Sequence, residues 1–145
     1  MHERILLVED NKVQKLANER ILHKAGYIVF NAADGEDALR VAWEKAPDLI
    51  LLDMLLPKMG GIEVLHALKS GSTTANIPVI AFSGLPQTNS AKLQDEGAAD
   101  YFEKSRLIED PNGEEAFLYM IEKTLQRSKK QNAAVMSASA SSSGH

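Results

Sequence analysis

Two continuous apolar runs, each ending on carboxylates, limit what this chain can fold into. Ile5-Leu6-Leu7-Val8 leads directly into Glu9-Asp10, and Leu49-Ile50-Leu51-Leu52 leads into Asp53. A short uninterrupted apolar run bounded by turn signals reads as a strand buried on both faces, the habit of parallel sheets covered by helices on each side. In open sheets of that kind, ligands bind just beyond the carboxyl ends of the strands. If the two strands are neighbours, Glu9, Asp10 and Asp53 crowd one small crevice. Two carboxylates about 4 Å apart repel by roughly 4 kcal/mol at an effective dielectric near 20. Such a cluster is tolerable only with positive charge in it, and a divalent metal ion is the natural candidate.

The rest of the chain alternates helix and strand patterns. Val13, Leu16, Ala17, Ile21 and Leu22 recur at helical spacing before Gly26, which stands where a helix C-cap belongs. Tyr27 to Ala32 is rich in β-branched and aromatic residues and reads as a second strand. Asp34-Gly35 opens a helix with Ala38, Leu39, Ala42 and Ala46 as its inner face, ended by Pro47. The third strand, Asp48 to Asp53, is followed by a loop from Met54 to Gly61 and a helix with Ile62, Leu65 and Leu68 on its buried stripe. Pro78 to Ser83 reads as the fourth strand, Gln87 to Glu96 as a weakly apolar helix, and Tyr101 to Glu103 as the fifth strand. A last helix from about Glu114 to Arg127 carries Phe117, Ile121 and Leu125 at i, i+4 spacing. Strands separated by helices imply right-handed crossovers and a doubly wound, flavodoxin-like α/β fold. The expected sheet is parallel and five-stranded, in order 2-1-3-4-5, flanked by five helices. From residue 129 to His145 the chain turns to Ala and Ser without periodicity and is expected to be a disordered tail, with no room for an output domain.

Composition narrows the function. At 145 residues the chain has the length of one domain with a real core. Sixteen basic against twenty acidic side chains give a net charge of −4, with no broad positive footprint for nucleic acid or anionic membrane. Neither direct DNA binding nor membrane association is therefore expected. Cysteine is absent, and no apolar stretch reaches signal-peptide or membrane-spanning length. A soluble cytoplasmic domain is the expectation.

The strand ends make the chain resemble a receiver domain of a two-component response regulator, over residues 3 to 128. Glu9-Asp10 is similar to the acidic pair that ends the family's first strand. Asp53 is similar to the phosphoacceptor aspartate, and Asp53-Met54-Leu55-Leu56-Pro57 with Lys58-Met59-Gly60-Gly61 to the loop that follows it. Ser83 stands at the family's hydroxyl position, Lys104 at its lysine and Tyr101 at its switch aromatic. The resemblance implies a signalling module, not an enzyme acting on other substrates, that catalyses only its own phosphorylation and dephosphorylation. Its phosphoryl group would come from a sensor histidine kinase or phosphotransfer protein, with Mg²⁺ held by Asp10, Asp53, Glu9 through water and the Leu55 backbone carbonyl. Lys104 and Ser83 would each take a phosphoryl oxygen. Pulling Ser83 inward would let Tyr101 favour an inward rotamer and change the face formed by the fourth helix, fifth strand and last helix. A downstream effector protein would read that face, and a phosphorylation-dependent homodimer is a second form of output.

Each residue also has a plainer reading. Asp10 serves equally as a helix cap, Asp53 as a strand-end turn former and Ser83 as a turn hydroxyl, while Lys104 is solvated and Tyr101 packs. Five matching positions at the strand ends argue for the functional reading. His2, His23, His66 and His145 share no metal-ligand spacing; Trp43 and the methionines read as packing. Arg127, Lys129 and Lys130 read as charges complementing the end of the last helix. Two departures from the family stand out. Ser105 follows Lys104 where receivers carry a cis proline, and a cis bond before any other residue costs about 2.5–4 kcal/mol, so a trans loop of different shape is expected. The stretch Ser105 to Gly113 is also longer and more polar. Leu55 and Leu85 are expected to shield an acyl phosphate from water, and Gly84 to leave the phosphodonor a way in. The rival readings are an unphosphorylated interaction domain, an aspartate-dependent phosphatase, against which Leu55 stands where a second acid belongs, and a flavin site, which Glu9-Asp10 would repel.

Overall fold

The structure, a computed structural model, describes residues 2–56, 59–84 and 90–143, with side chains as far as residue 134. Pro57, Lys58 and Leu85 lie outside the described residues. Five strands, β1 (Arg4–Val8), β2 (Ile28–Ala32), β3 (Leu49–Leu52), β4 (Val79–Ser83) and β5 (Asp100–Glu103), form one parallel sheet in the order β2-β1-β3-β4-β5. The register places Val8 opposite Leu52, Leu52 opposite Ala81, and Ser83 opposite Glu103. Helices α1 (Lys12–Lys24), α2 (Gly35–Lys45), α3 (Gly61–Ser70), α4 (Ser90–Asp95), α5 (Arg106–Glu109) and α6 (Gly113–Ser143) complete the order. The flavodoxin-like fold expected from the sequence is the fold observed, with one short helix more than expected.

Strand alternation divides the core in two. Leu6, Val8, Ile50, Leu52, Val79, Ala81 and Tyr101 face α2, α3 and α4, where Ala38, Ala42, Val64, Leu65, Leu68 and Leu93 meet them. Ile5, Leu7, Leu49, Leu51, Ile80, Phe82 and Phe102 face α1 and α6, meeting Leu22, Phe117, Ile121 and Leu125. Both faces are covered, which is why Ile5–Val8 of β1 and all of β3 are apolar at consecutive rather than alternate positions. In the second of these layers, Phe117 lies against Phe82 and Phe102, with ring centroids 4.9 and 5.0 Å apart.

Several sequence expectations change here. On α1 the residues turned to the sheet are Asn18 and Leu22, whereas Val13 and Leu16 point to solvent. One helical stripe cannot hold all five apolar positions, and the fully buried Leu22 fixes which stripe faces inward. Trp43 is 70% exposed on the outer side of α2, so it is not a packing residue. The tail expected to be disordered from residue 129 instead continues α6 to Ser143. Alanine is the best helix former, and a segment that extends a packed helix incurs no nucleation cost. Arg127, Lys129 and Lys130 consequently lie within the helix rather than at its end, and Lys129 Nζ donates to Glu3 Oε1 at 2.7 Å. The Ser105 to Gly113 stretch contains α5. Among the described residues every peptide is trans, and Ser105 adopts helical angles that lead into the short turn. Gly113 then packs so closely that a Cβ there would stand 1.9 Å from the Arg106 carbonyl oxygen, a position only glycine can fill.

Candidate functional site

Strand pairing brings four chain segments to one edge of the sheet. Because Val8 is opposite Leu52, the residues that follow them, Glu9 and Asp53, are neighbours, and the Asp53 amide donates to the Val8 carbonyl at 3.2 Å. Lys104 follows β5 in the same way, its amide donating to the Ser83 carbonyl at 2.8 Å. Glu9 and Asp53 are buried at 2% and 4% exposure, while Asp10 is open to solvent. One carboxylate oxygen from each of the three lies within 4.8 Å of the others. The acid crevice expected from two strand ends is therefore present.

Its positive charge comes from Lys104. The ammonium nitrogen donates to Asp53 Oδ2 at 2.9 Å, to Glu9 Oε1 and to Gln14 Oε1 at 2.7 Å, while lying 5.4 Å from the centre of the Phe82 ring. The second Asp53 oxygen accepts from the Leu55 amide at 3.0 Å. Glu9 is less well served. Its Oε2 atom is buried without a hydrogen-bond partner, and burial pushes its carboxyl above the usual carboxylate range. The bond to Lys104 opposes that rise, and the neighbouring Asp53 adds to it. A buried carboxylate oxygen without a partner, beside two further carboxylates, is a donor set suited to a hard divalent cation.

Ser83 is fully buried at the end of β4, and its hydroxyl oxygen also has no hydrogen-bond partner. Tyr101 is fully buried in the core shared by α2, α3 and α4; burial, with the charges of Glu103 and Asp53, pushes its hydroxyl up to about 12. The loop after Asp53 is held by Gly61, where a Cβ would stand 2.5 Å from Met54 Cα. The Leu55 side chain is 59% exposed, and among the described residues a Cβ on Gly84 would meet nothing within 4 Å. Between α1 and α5 a groove of about 530 Å³, lined among others by Gln14, Asn18, Phe82, Lys104 and Leu107, opens beside the same lysine.

Gln14 was not among the residues singled out from the sequence. It lies 90 positions from Lys104, on the first turn of α1, and its only local signal is as partner of a helix cap. Two of the histidines have polar partners. His66 is half-exposed and contacts Glu96, and His2 bonds the Gly26 carbonyl at 2.6 Å.

An open parallel sheet with acids, a hydroxyl and a lysine gathered at its carboxyl edge belongs to the class of doubly wound α/β domains whose sites lie beyond the strand ends. The chain belongs to the response regulator receiver domain family, whose model matches residues 5–110. Receiver domains are signalling domains of two-component systems that phosphorylate and dephosphorylate themselves, with Mg²⁺ in an acidic site. They interact with histidine kinases or phosphotransfer proteins and with effectors. The chain is 36% identical over 105 residues to sporulation initiation phosphotransferase F of Bacillus subtilis, a match spanning 72% of this chain and 83% of that protein. It is 38% identical over 109 residues to the DNA-binding dual master transcriptional regulator RpaA of Synechocystis, covering 74% of this chain and only 45% of that protein. Among solved structures, a CheY-like receiver domain protein from Methanospirillum hungatei superposes with a TM-score of 0.76 at 26% identity, over 90% of this chain and 99% of that one. The receiver domain of a sensor histidine kinase from Pseudomonas aeruginosa, solved with magnesium coordinated in its active site cleft, gives a TM-score of 0.73 at 27% identity. That match covers 87% of this chain and 99% of the other. No helix among the described residues is long and apolar enough to cross a membrane.

Proposed function

We propose that residues 3 to 128 form a cytoplasmic phosphoacceptor module in which Asp53 takes a phosphoryl group from a histidine kinase or phosphotransfer protein. The observation that carries this reading is the setting of Asp53. It is a buried carboxylate with one oxygen held by Lys104 and the other by the Leu55 amide, and it faces two further acids. An oxygen of Asp53 would attack phosphorus while the bond to the donor breaks and its electron pair leaves with the donor. Anion approaches anion in that step, so charge must be neutralised in advance. Mg²⁺ fits the donor set of Asp10, Asp53, the Leu55 carbonyl and, through water, Glu9, and when bound it supplies that neutralisation on the phosphoryl oxygens. Lys104 would carry its charge to the same place, and the unpartnered Ser83 hydroxyl would donate to another phosphoryl oxygen.

Tyr101 supports an output route. Its ring lies in the core one strand away from Ser83, with its backbone opposite Ala81, so a shift of the β4 end changes what the ring packs against. The signal would leave through the face of α4, β5 and α6 to an effector protein or to a second copy of the chain. The test is intact mass after incubation with Mg²⁺ and acetyl phosphate. The wild-type chain gains one phosphoryl group and Asp53→Asn gains none; equal labelling of the two removes Asp53 from the role.

A further inference from the structure

We propose that Gln14 is a positioning residue for Lys104, fixing one of its three ammonium N–H groups so that the other two stay aimed into the acid crevice. The inference rests on the phosphoacceptor reading above and deepens it. It begins with the helix cap. Asn11 is the N-cap of α1, and its Oδ1 accepts from the Gln14 amide at 3.0 Å. Asn-x-x-Gln is the sequence of a capping box, in which the glutamine side chain normally returns to the N-cap amide. Here Gln14 Oε1 turns away from the cap and accepts from Lys104 Nζ at 2.7 Å. Half of the box is made, and the other half is traded for a contact with a residue 90 positions away.

The count of donors and acceptors says what that contact does. A lysine ammonium has three N–H groups and no acceptor. Glu9 Oε1, Asp53 Oδ2 and Gln14 Oε1 take all three. The head is a compact charge on a flexible four-carbon stem, so its direction is set by its acceptors and not by the stem. Two of those acceptors are the acids whose partners must change when phosphate is on Asp53. Lys104 must then release a carboxylate to take a phosphoryl oxygen. Gln14 is neutral, stands on α1 outside the acid cluster, and has no reason to let go. Its bond is the one that survives the exchange, which makes Gln14 the pivot about which the ammonium turns.

The test uses the full chain with two replacements at an exposed position. Gln14→Leu removes the acceptor at similar size; Gln14→Glu keeps an oxygen at the same reach. With Mg²⁺ and acetyl phosphate, Gln14→Leu is expected to label roughly fivefold more slowly than wild type, the worth of one hydrogen bond of about 1 kcal/mol at a factor of ten per 1.36 kcal/mol. Gln14→Glu, which keeps an acceptor at the same reach but adds a negative charge beside the crevice, is expected to hold the ammonium as wild type does. A second readout needs no phosphodonor: the nitrogen-15 resonance of the Lys104 ammonium should be protected from exchange in wild type and Gln14→Glu, and broadened in Gln14→Leu. Wild-type labelling by Gln14→Leu, or an unchanged ammonium signal, overturns the inference. If the wild-type chain itself takes no phosphate, the phosphoacceptor reading fails, while the ammonium signal still decides what Gln14 does.

Discussion

Ser83 buries a hydroxyl that bonds to nothing, and at the scale of single residues that is the most informative atom in the chain. A buried polar group without a partner costs about 1–3 kcal/mol. Ser83→Ala is therefore expected to leave the thermal midpoint unchanged or to raise it, although the site is fully buried and one atom is lost. Thermal unfolding of the two proteins checks this, and a clear drop would mean that the hydroxyl is bonded after all. The same variant should shorten or weaken the phosphorylated state, where the hydroxyl gains an acceptor. Much at this scale was legible in the sequence. Glu9, Asp10, Asp53, Ser83 and Lys104 each end or follow a strand, and adjacent parallel strands bring such positions together whatever the loops do. Gln14 was not legible, because a glutamine on the first turn of a helix already has a local explanation in the cap. Nothing in a linear pattern reports that its side chain has another partner.

Among the elements, α6 departs furthest from what its sequence suggested. Phe117, Ile121 and Leu125 hold its first half to the sheet as the i, i+4 spacing implied, yet the helix runs on to Ser143 with residues 131 to 134 exposed. Composition suggested disorder because Ala and Ser offer nothing to bury, but helix propensity and packing are separate terms, and alanine is strong in the first. A chain ending at Lys130 should keep its thermal midpoint while losing the far-ultraviolet helix signal of the removed turns. A parallel fall in the midpoint would show that the extension stabilises the domain. The Lys129–Glu3 pair makes a finer prediction. The bond from Lys129 holds the Glu3 carboxyl below its ordinary 4.5, so the pair stabilises the fold above that value, and the gain is lost as pH falls through the lowered one. Lys129→Ala should thus be slightly less stable than wild type near neutrality and equal to it in strong acid, a small difference because both groups meet solvent. The stripe of α1 shows the same separation of propensity from packing. Apolar Val13 and Leu16 fit a helix but not the stripe that Leu22 commits to the core.

For the molecule as a whole, folding and ligation are coupled through the acid crevice. Three carboxylates within 4.8 Å against one ammonium leave excess negative charge that the folded chain must tolerate and the unfolded chain does not. Magnesium should therefore stabilise the fold, by about 2.7 kcal/mol at a hundredfold excess over its dissociation constant. The thermal midpoint should rise with Mg²⁺ in wild type and respond weakly or not at all in Asp10→Asn. The parallel, doubly wound sheet was readable because two apolar runs had to lie inside and crossovers have one hand, and its strand order came with the flavodoxin-like architecture; α5 was not, because none of its four residues, Arg106 to Glu109, is fully buried. The ring stack carries a mechanical corollary. Phe82 precedes Ser83, Phe102 lies two positions before Lys104, and both rings bear on Phe117 near the root of α6. From Phe117 to Ser143 the helix is about 39 Å long at 1.5 Å per residue. At that length a tilt of about 5° at the base would correspond to a displacement of about 3 Å at Ser143.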